Sequence, residues 1–269
     1  MSMSNAPFFR ISLAILAWIG IGFLVFPVLI TALASFNDPF FIELPPKSYS
    51  LRWYAAIADI HRIGEAVFWS LLIGIVSASI ATVLGLGAAL AIARHPLPGK
   101  AALTTFLLSP ITIPMVAIGI ALVQFFIALD IAFTWWSIAI GHIVLVIAYP
   151  VRTLLASLTL SNTSLEDAAA SLGASRLMTF RRVTLPQLKP GLVSGFLFAF
   201  LISFDNYPIS VFLVRGEITT MPIEVFNHIS NNFDPTPAAF STLYIVIVSL
   251  IICAAEWRYR IISLSLPKS

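Results

Sequence analysis

The sequence predicts an all-α membrane protein with six transmembrane helices, and three observations lead there. Of its 269 residues 59% are hydrophobic and 10% charged, whereas about one residue in four is charged in a soluble domain. The apolar residues gather in six charge-poor runs, each near the roughly 20 helical residues that cross a bilayer. Taken alternately, the segments between and beyond the runs hold eleven of the fifteen Lys and Arg on one side, as in a chain that crosses and recrosses a membrane.

The runs lie at about 11–34, 66–93, 101–129, 131–149, 191–214 and 239–255, and with no internal repeat they are read as a single domain, 1–269. The first follows Arg10 and ends near Ala32-Leu33-Ala34, which resembles a signal-peptidase site. It exceeds the roughly 7–15 residues of a signal h-region, so it is expected to be a retained anchor. Residues 35–65 form the longest outer connection, with residues 50–60 expected as a short interfacial helix because Trp53 and Tyr54 favour that depth. In the second run Gly74, Gly85 and Gly87 allow close helix packing.

After the basic turn 94–100 the third run is interrupted by Pro110 and Pro114. The carbonyls they free need protein or a water-filled cavity around them, so the span is either a broken helix on a pathway or a kink packed against neighbours. Trp135 and Trp136 anchor the start of the fourth run. Residues 215–238, with Glu217, Glu224, Asp234 and several prolines, are read as an outer loop. Placing the N-terminus inside puts eleven of the fifteen Lys and Arg on inner segments and leaves Lys47, Arg52, Arg62 and Arg215 outside. Both termini and the loop 152–189 are therefore expected in the cytoplasm.

That loop is the one long polar interruption, with Arg152, Arg176, Arg181, Arg182 and Lys189. Thr163-Ser164-Leu165-Glu166 has the spacing of a capping box, alanines 168–170 favour a short helix, and Gly173 suits a left-handed stop. Ser175 is expected to cap a second helix, ended by Leu185-Pro186 and Pro190. A helix, a glycine turn and a helix in water read as a docking element.

Asp167-Ala168-Ala169, Gly173 and Val183-Thr184-Leu185-Pro186 resemble, at the same spacings, the cytoplasmic loop of bacterial ABC (ATP-binding cassette) importer permeases. That loop reads Glu-Ala-Ala, three residues, Gly, nine residues, Ile, one residue, Leu-Pro. Asp stands here for Glu and Val for Ile. The resemblance implies a type I ABC importer permease fold in which Asp167, Ala168, Ala169, Gly173, Val183, Leu185 and Pro186 form a coupling helix seated in a separate ATPase. It also implies a second related permease, two ATPase subunits, an extracytoplasmic solute-binding protein and a multi-pass place in a bacterial inner membrane. ATP and magnesium would bind in the ATPase, with no cofactor in this chain.

The residues themselves point to no catalysis. There is no Gly-x4-Gly-Lys-Ser/Thr phosphate loop, and the histidines at 61, 95, 142 and 228 have no metal-ligand spacing. An intramembrane hydrolase would need His142 as a base; a helix-packing histidine bonded to a hydroxyl or a carbonyl is the expectation. Ser175 lies among arginines in the loop. The cations sit at membrane edges, which does not favour nucleic acid as a partner, and lipid surrounds the spans.

Asp205, in Ser203-Phe204-Asp205-Asn206-Tyr207-Pro208 inside the fifth run, is the candidate for transport chemistry. A carboxylate at the centre of a span costs about 2.5–3.5 kcal/mol on insertion scales and marks function by default. Two alternatives remain: Pro208 ends the helix and brings Asp205 near the surface, or Asp205 serves assembly. Beside Asn206 and the rings of Phe204 and Tyr207 it suits an ammonium group. The Ser-Phe-Asp run resembles the spermidine/putrescine branch of the importer permeases, which implies a polyamine path through Asp205, Asn206, Tyr207 and Tyr149. Asn206 stands where that branch commonly has an acid, so an amino acid derivative, an opine or an aminophosphonate stays open as solute. A free-standing channel or exporter is the remaining alternative.

Overall fold

A computed structural model describes residues 6–259 of the chain, with the side chains of 6–8 and 259 left aside. Thirteen α-helices run through it and no strand is found among the described residues. Five helices are long and apolar enough to cross a membrane, and a bent pair makes a sixth span if counted as one. Arg260 and Lys268, counted above among the inner charges, lie outside the described residues.

The chain divides into two compact units. One comprises residues 1–61 and 225–250, the other 62–224 and 251–269. In the first, α1 (Ala6–Ser35) is a span with no part of its apolar window buried. Lipid-facing leucines and phenylalanines suit it, since the bilayer satisfies apolar side chains and the helix satisfies its own backbone. Pro27 lies inside α1, and Thr31 Oγ1 donates to the Pro27 carbonyl at 3.0 Å. Beyond α1 the chain folds on Asn37, whose Nδ2 donates to the carbonyls of Pro39 (2.8 Å) and Phe41 (3.0 Å). The short helix expected at residues 50–60 is α2 (Arg52–Ala56) followed by a 3-10 turn, Ile57–Asp59. Buried Trp53 donates from Nε1 to the Asn37 carbonyl at 2.6 Å, and Tyr54 OH lies 2.8 Å from Ser35 Oγ.

The second unit is built around α3 (Ile63–Arg94), 32 residues long. The third span is a broken one: α4 (Lys100–Leu108) and a 3-10 turn over Ser109–Ile111 meet α5 (Met115–Ala128) at a 100° bend. Pro110 and Pro114 stand at that break, each withholding a helix donor. Next come α6 (Trp135–Val146) and α7 (Ala148–Leu160), a single apolar span of 26 residues. Thr134 and Ser137 form a reciprocal capping box at its start, where Trp135 and Trp136 stack. Its joint at Ile147 has a local cause, because Pro150 cannot bond the Val146 carbonyl.

The fourth span thus reaches Leu160 and not 149, and Arg152 lies on α7 rather than in a loop. A single arginine does not end a helix; its long stem lets the charged head reach water. Two short helices follow, α8 (Ser164–Ser171) and α9 (Arg176–Thr179). From α9 the chain continues through a π-turn, Phe180–Thr184, into α10 (Leu185–Phe204). The expectation that Pro186 and Pro190 would stop the second helix is overturned. Leu185 N–H bonds the Phe180 carbonyl, and this wide turn leads into Pro186 in the first turn of α10, where a missing donor costs little.

The fifth span also ends earlier than 214. After Phe204 the chain breaks, then forms α11 (Ser210–Leu213). Within the predicted outer loop lies α12 (Met221–Asn231), with Pro222 in its first turn; α13 (Thr236–Tyr259) is the last span. The core of the second unit joins α3, α5, α6, α10 and α11 through Ile73, Phe126, Ile138, Leu145, Ala199, Ile209 and Leu213. A smaller cluster, Ala89, Leu154, Leu158 and Leu188, joins α3, α7 and α10. Here the helices approach on small residues: a Cβ on Gly85 would meet Pro150 at 3.1 Å, and one on Gly195 would stand 2.8 Å from the Pro150 Cα.

Candidate functional site

Two places in the second unit carry the expected functional residues. The first is the hairpin of α8 and α9. Gly173 turns it with φ +81°, a left-handed conformation that costs a side chain strain. Ser175 caps α9 by accepting from Met178 N at 3.3 Å. Asp167, Ala168, Gly173 and Pro186 are exposed, while Ala169, Val183 and Leu185 are partly buried. Apolar side chains also stand out from the hairpin, with Leu172 89% exposed and Leu177 59% exposed. With polar residues around them they form an exposed apolar patch.

The capping box expected from Thr163 and Glu166 is not formed. Thr163 makes no cap bond, and the Asn162 side chain accepts instead from Ser164 N at 3.0 Å and Ser164 Oγ at 2.7 Å. Glu166 turns inward. Its Oε1 accepts from Arg94 Nη2 at 2.9 Å and from Thr184 Oγ1 at 3.0 Å, and Arg94 Nη2 also donates to Ser161 Oγ at 3.1 Å. Sequence reasoning missed this cluster because Arg94 and Glu166 stand 72 residues apart. The only local signal was two acids side by side, one of them free of the motif.

The second place is the break after α10. Asp205 is its C-cap residue, with its N–H bonded to the carbonyls of Leu201 and Ser203. As a residue Asp205 is exposed, and among the described residues no cation pairs with it. A helix C-terminus carries partial negative charge, so the carboxylate and the end of α10 add to one another and attract a cation. Asn206, expected beside it on the solute path, is instead buried. Its Oδ1 accepts from Ile209 N at 3.0 Å and Nδ2 lies 3.8 Å from Met115 Sδ, which holds the bend against the first turn of α5. Tyr207 is half-buried in the same bend. Tyr149 stands at the start of α7, half-buried against the main core, and among the described residues no hydrogen bond joins it to Asp205.

His142 bridges the break from α6. Nδ1 lies 2.7 Å from Ser203 Oγ, on the last turn of α10, and Nε2 lies 3.1 Å from Ser210 Oγ, the first residue of α11. A neutral imidazole donates at one nitrogen and accepts at the other, so both are used. The histidine is 1% exposed and bonded to hydroxyls, the packing role expected of it. No group of three His, Cys, Asp or Glu able to hold a metal occurs among the described residues.

Comparison with known proteins agrees with this architecture. A putrescine transport system permease protein of Escherichia coli is 30% identical over 257 residues, covering 93% of this chain and 91% of its own. A spermidine/putrescine transport system permease protein of Haemophilus influenzae is 28% identical over 225 residues, 84% of this chain and 87% of its own. A bacterial ABC transporter involved in import of the acidic polysaccharide alginate has a chain that superposes with a TM-score of 0.68 at 16% identity, covering 95% of this chain and 98% of that one. The fold is that of type I ABC importer permeases. Residues 81–265, which include both the hairpin and the break at Asp205, match the family described as the inner membrane component of binding-protein-dependent transport systems, and the chain belongs to that family of multi-pass inner-membrane proteins.

Proposed function

We propose that this chain is the permease subunit of an ATP-driven importer of polyamines. The observation that carries the amine is Asp205: a carboxylate added to the negative end of α10, exposed, with no cation from the described residues beside it. A primary ammonium answers that charge, and the ring of Tyr207 in the same bend adds cation–π attraction. The two relatives named for putrescine and spermidine/putrescine transport support the choice. Tyr149 is proposed further along the path and Asn206 as the residue that holds the bend.

In this reading both termini and the hairpin face the cytoplasm. Asp167, Ala168, Ala169 and Gly173 dock on an ATPase, with Val183, Leu185 and Pro186 shaping the return into α10. The complex contains a second related permease, two ATPases and a solute-binding protein on the outer side. ATP and magnesium act in the ATPases and this subunit is not catalytic. Asn206 is neutral, so Asp205 is the single charge of the bend, which favours as second reading a mono-ammonium solute.

The test is uptake of labelled putrescine by vesicles containing the complex, together with the proteins recovered when this chain is purified in mild detergent. The expected result is ATP-dependent uptake, with an ATPase, a second permease and a binding protein recovered. Uptake of an amino acid derivative and not of putrescine would move the reading to the second solute class. Recovery of the chain alone under conditions that keep other importers assembled would overturn the importer.

A further inference from the structure

Resting on the reading of the α8–α9 hairpin as the ATPase-docking element, we propose that Glu166 and Arg94 form the joint that passes its motion to α3 and α10. They are positioning residues that touch neither solute nor nucleotide. One carboxylate oxygen ties α8 to the ends of α3 and α10, and Arg94 extends the tie to the end of α7. Arg94 is the last residue of α3, Ser161 follows the end of α7, and Thr184 is the buried residue at the entry to α10. Glu166 takes hydrogen bonds from Arg94 and Thr184, and Arg94 adds the bond to Ser161.

The pair is shielded. The Arg94 and Glu166 side chains are 25% and 23% exposed, so solvent weakens them less than it weakens a surface pair. Arg94 Nε is buried without a partner among the described residues. The guanidinium therefore depends on Glu166 for its counter-charge, and removing either side chain leaves the other charge half-buried and unpaired. The hairpin's exposed apolar side chains, Leu172 at the end of α8 and Leu177 on α9, are free for a partner. A push on α9 passes along the continuous helix into α10, whereas a push on α8 reaches α3 and α10 through this joint.

The helices it joins lead to the transport site. α10 ends at Asp205, and α3 runs about 48 Å from Arg94 to its far end at 1.5 Å per residue. A second tie, Asn162 N to Gln187 Oε1 at 3.0 Å, is neutral and runs from the start of the hairpin to α10. It preserves the hairpin's place when the charges are altered, so loss of the joint loosens transmission without detaching the docking surface.

The experiment uses the assembled complex in proteoliposomes and reads putrescine moved per ATP hydrolysed, with the amount of ATPase retained. Arg94→Gln and Glu166→Gln are each expected to lower that ratio about tenfold, the size of one charge-assisted hydrogen bond, with the ATPase still bound. The charge-exchanged double variant, Arg94→Glu with Glu166→Arg, is expected to recover most of the ratio. An unchanged ratio in both single variants overturns the joint, and so does loss of the ATPase from them, which would make Glu166 a docking contact. Gly173→Pro separates the two readings: if it leaves ATPase retention and uptake intact, the docking reading itself fails.

Discussion

Replacing Gly195 by alanine tests how tightly the spans of the second unit are locked. The added Cβ would stand 2.6 Å from Thr153 Oγ1, 2.8 Å from Pro150 Cα and 3.1 Å from Pro150 Cβ. The hydroxyl could rotate, but it already donates to the Gly191 carbonyl at 3.0 Å. The proline backbone has no such freedom, because on its other side Gly85 leaves only 3.1 Å for a Cβ facing the same proline. α7 therefore cannot retreat from α10 without pressing on α3. Overpacking of this kind costs about 1–3 kcal/mol, and the displaced interhelical hydrogen bond adds about 0.6 kcal/mol. Alanine's better helix propensity returns up to about 1 kcal/mol. The net centres on about 1.6 kcal/mol, about fifteenfold in the unfolding constant. Gly87→Ala is the control, since nothing lies within 4 Å of a Cβ there. Unfolding in mixed micelles followed by tryptophan fluorescence should show Gly195→Ala destabilised and Gly87→Ala unchanged or more stable. Equal midpoints for Gly195→Ala, Gly87→Ala and the unmodified protein would refute the packing argument.

Four further outcomes are expected. His142→Leu strands the buried hydroxyls of Ser203 and Ser210 and should cost about 1–3 kcal/mol in the same unfolding assay; His142→Gln, which can still bond one of them, should cost less. Asp205→Asn should lower putrescine uptake at least about tenfold, with the complex still recovered intact; dispersal of the subunits would make Asp205 an assembly residue. Thr134→Val removes the capping box of α6 and should destabilise by about 0.5–2 kcal/mol in the unfolding assay. Burial raises the Asp234 carboxyl, but hydrogen bonds from Thr236 and His228 and the charge of His228 outweigh it and hold the group below its usual value of 3.8. A depressed acid contributes stability above its unfolded pKa and loses it as pH falls through the folded one. The deficit of Asp234→Asn against the unmodified protein should thus be full at pH 6 and shrink below about pH 4, read from thermal midpoints; a deficit independent of pH would refute the assignment.

Much of the fold was legible because it rests on local and additive properties. Hydropathy over about 20 residues marks a span whatever its neighbours do, and the helical runs at residues 63–94 and 236–259 contain the expected spans 66–93 and 239–255. Proline chemistry is local too, so an interruption at Pro110 and Pro114 could be read directly, while the choice between a break and a kink fell to the 100° bend of the structure. So could Gly173, where a positive φ is a property of one residue. The hairpin's spacing carried the family resemblance for the same reason.

What the sequence by itself determined is therefore the class of protein, its membrane-crossing helices and the hairpin, since each follows from residues within a few turns of one another. The tertiary structure alone decided which polar groups meet. Glu166, by pattern half of a capping box, binds Arg94 from 72 residues away, and His142 reaches Ser203 and Ser210 across 61 and 68 residues. It also decided that Asn206 is buried while Asp205 is exposed, although they are adjacent. The physical reason is that a polar side chain inside a membrane protein takes whichever partner satisfies it, and only packing brings that partner within 3 Å.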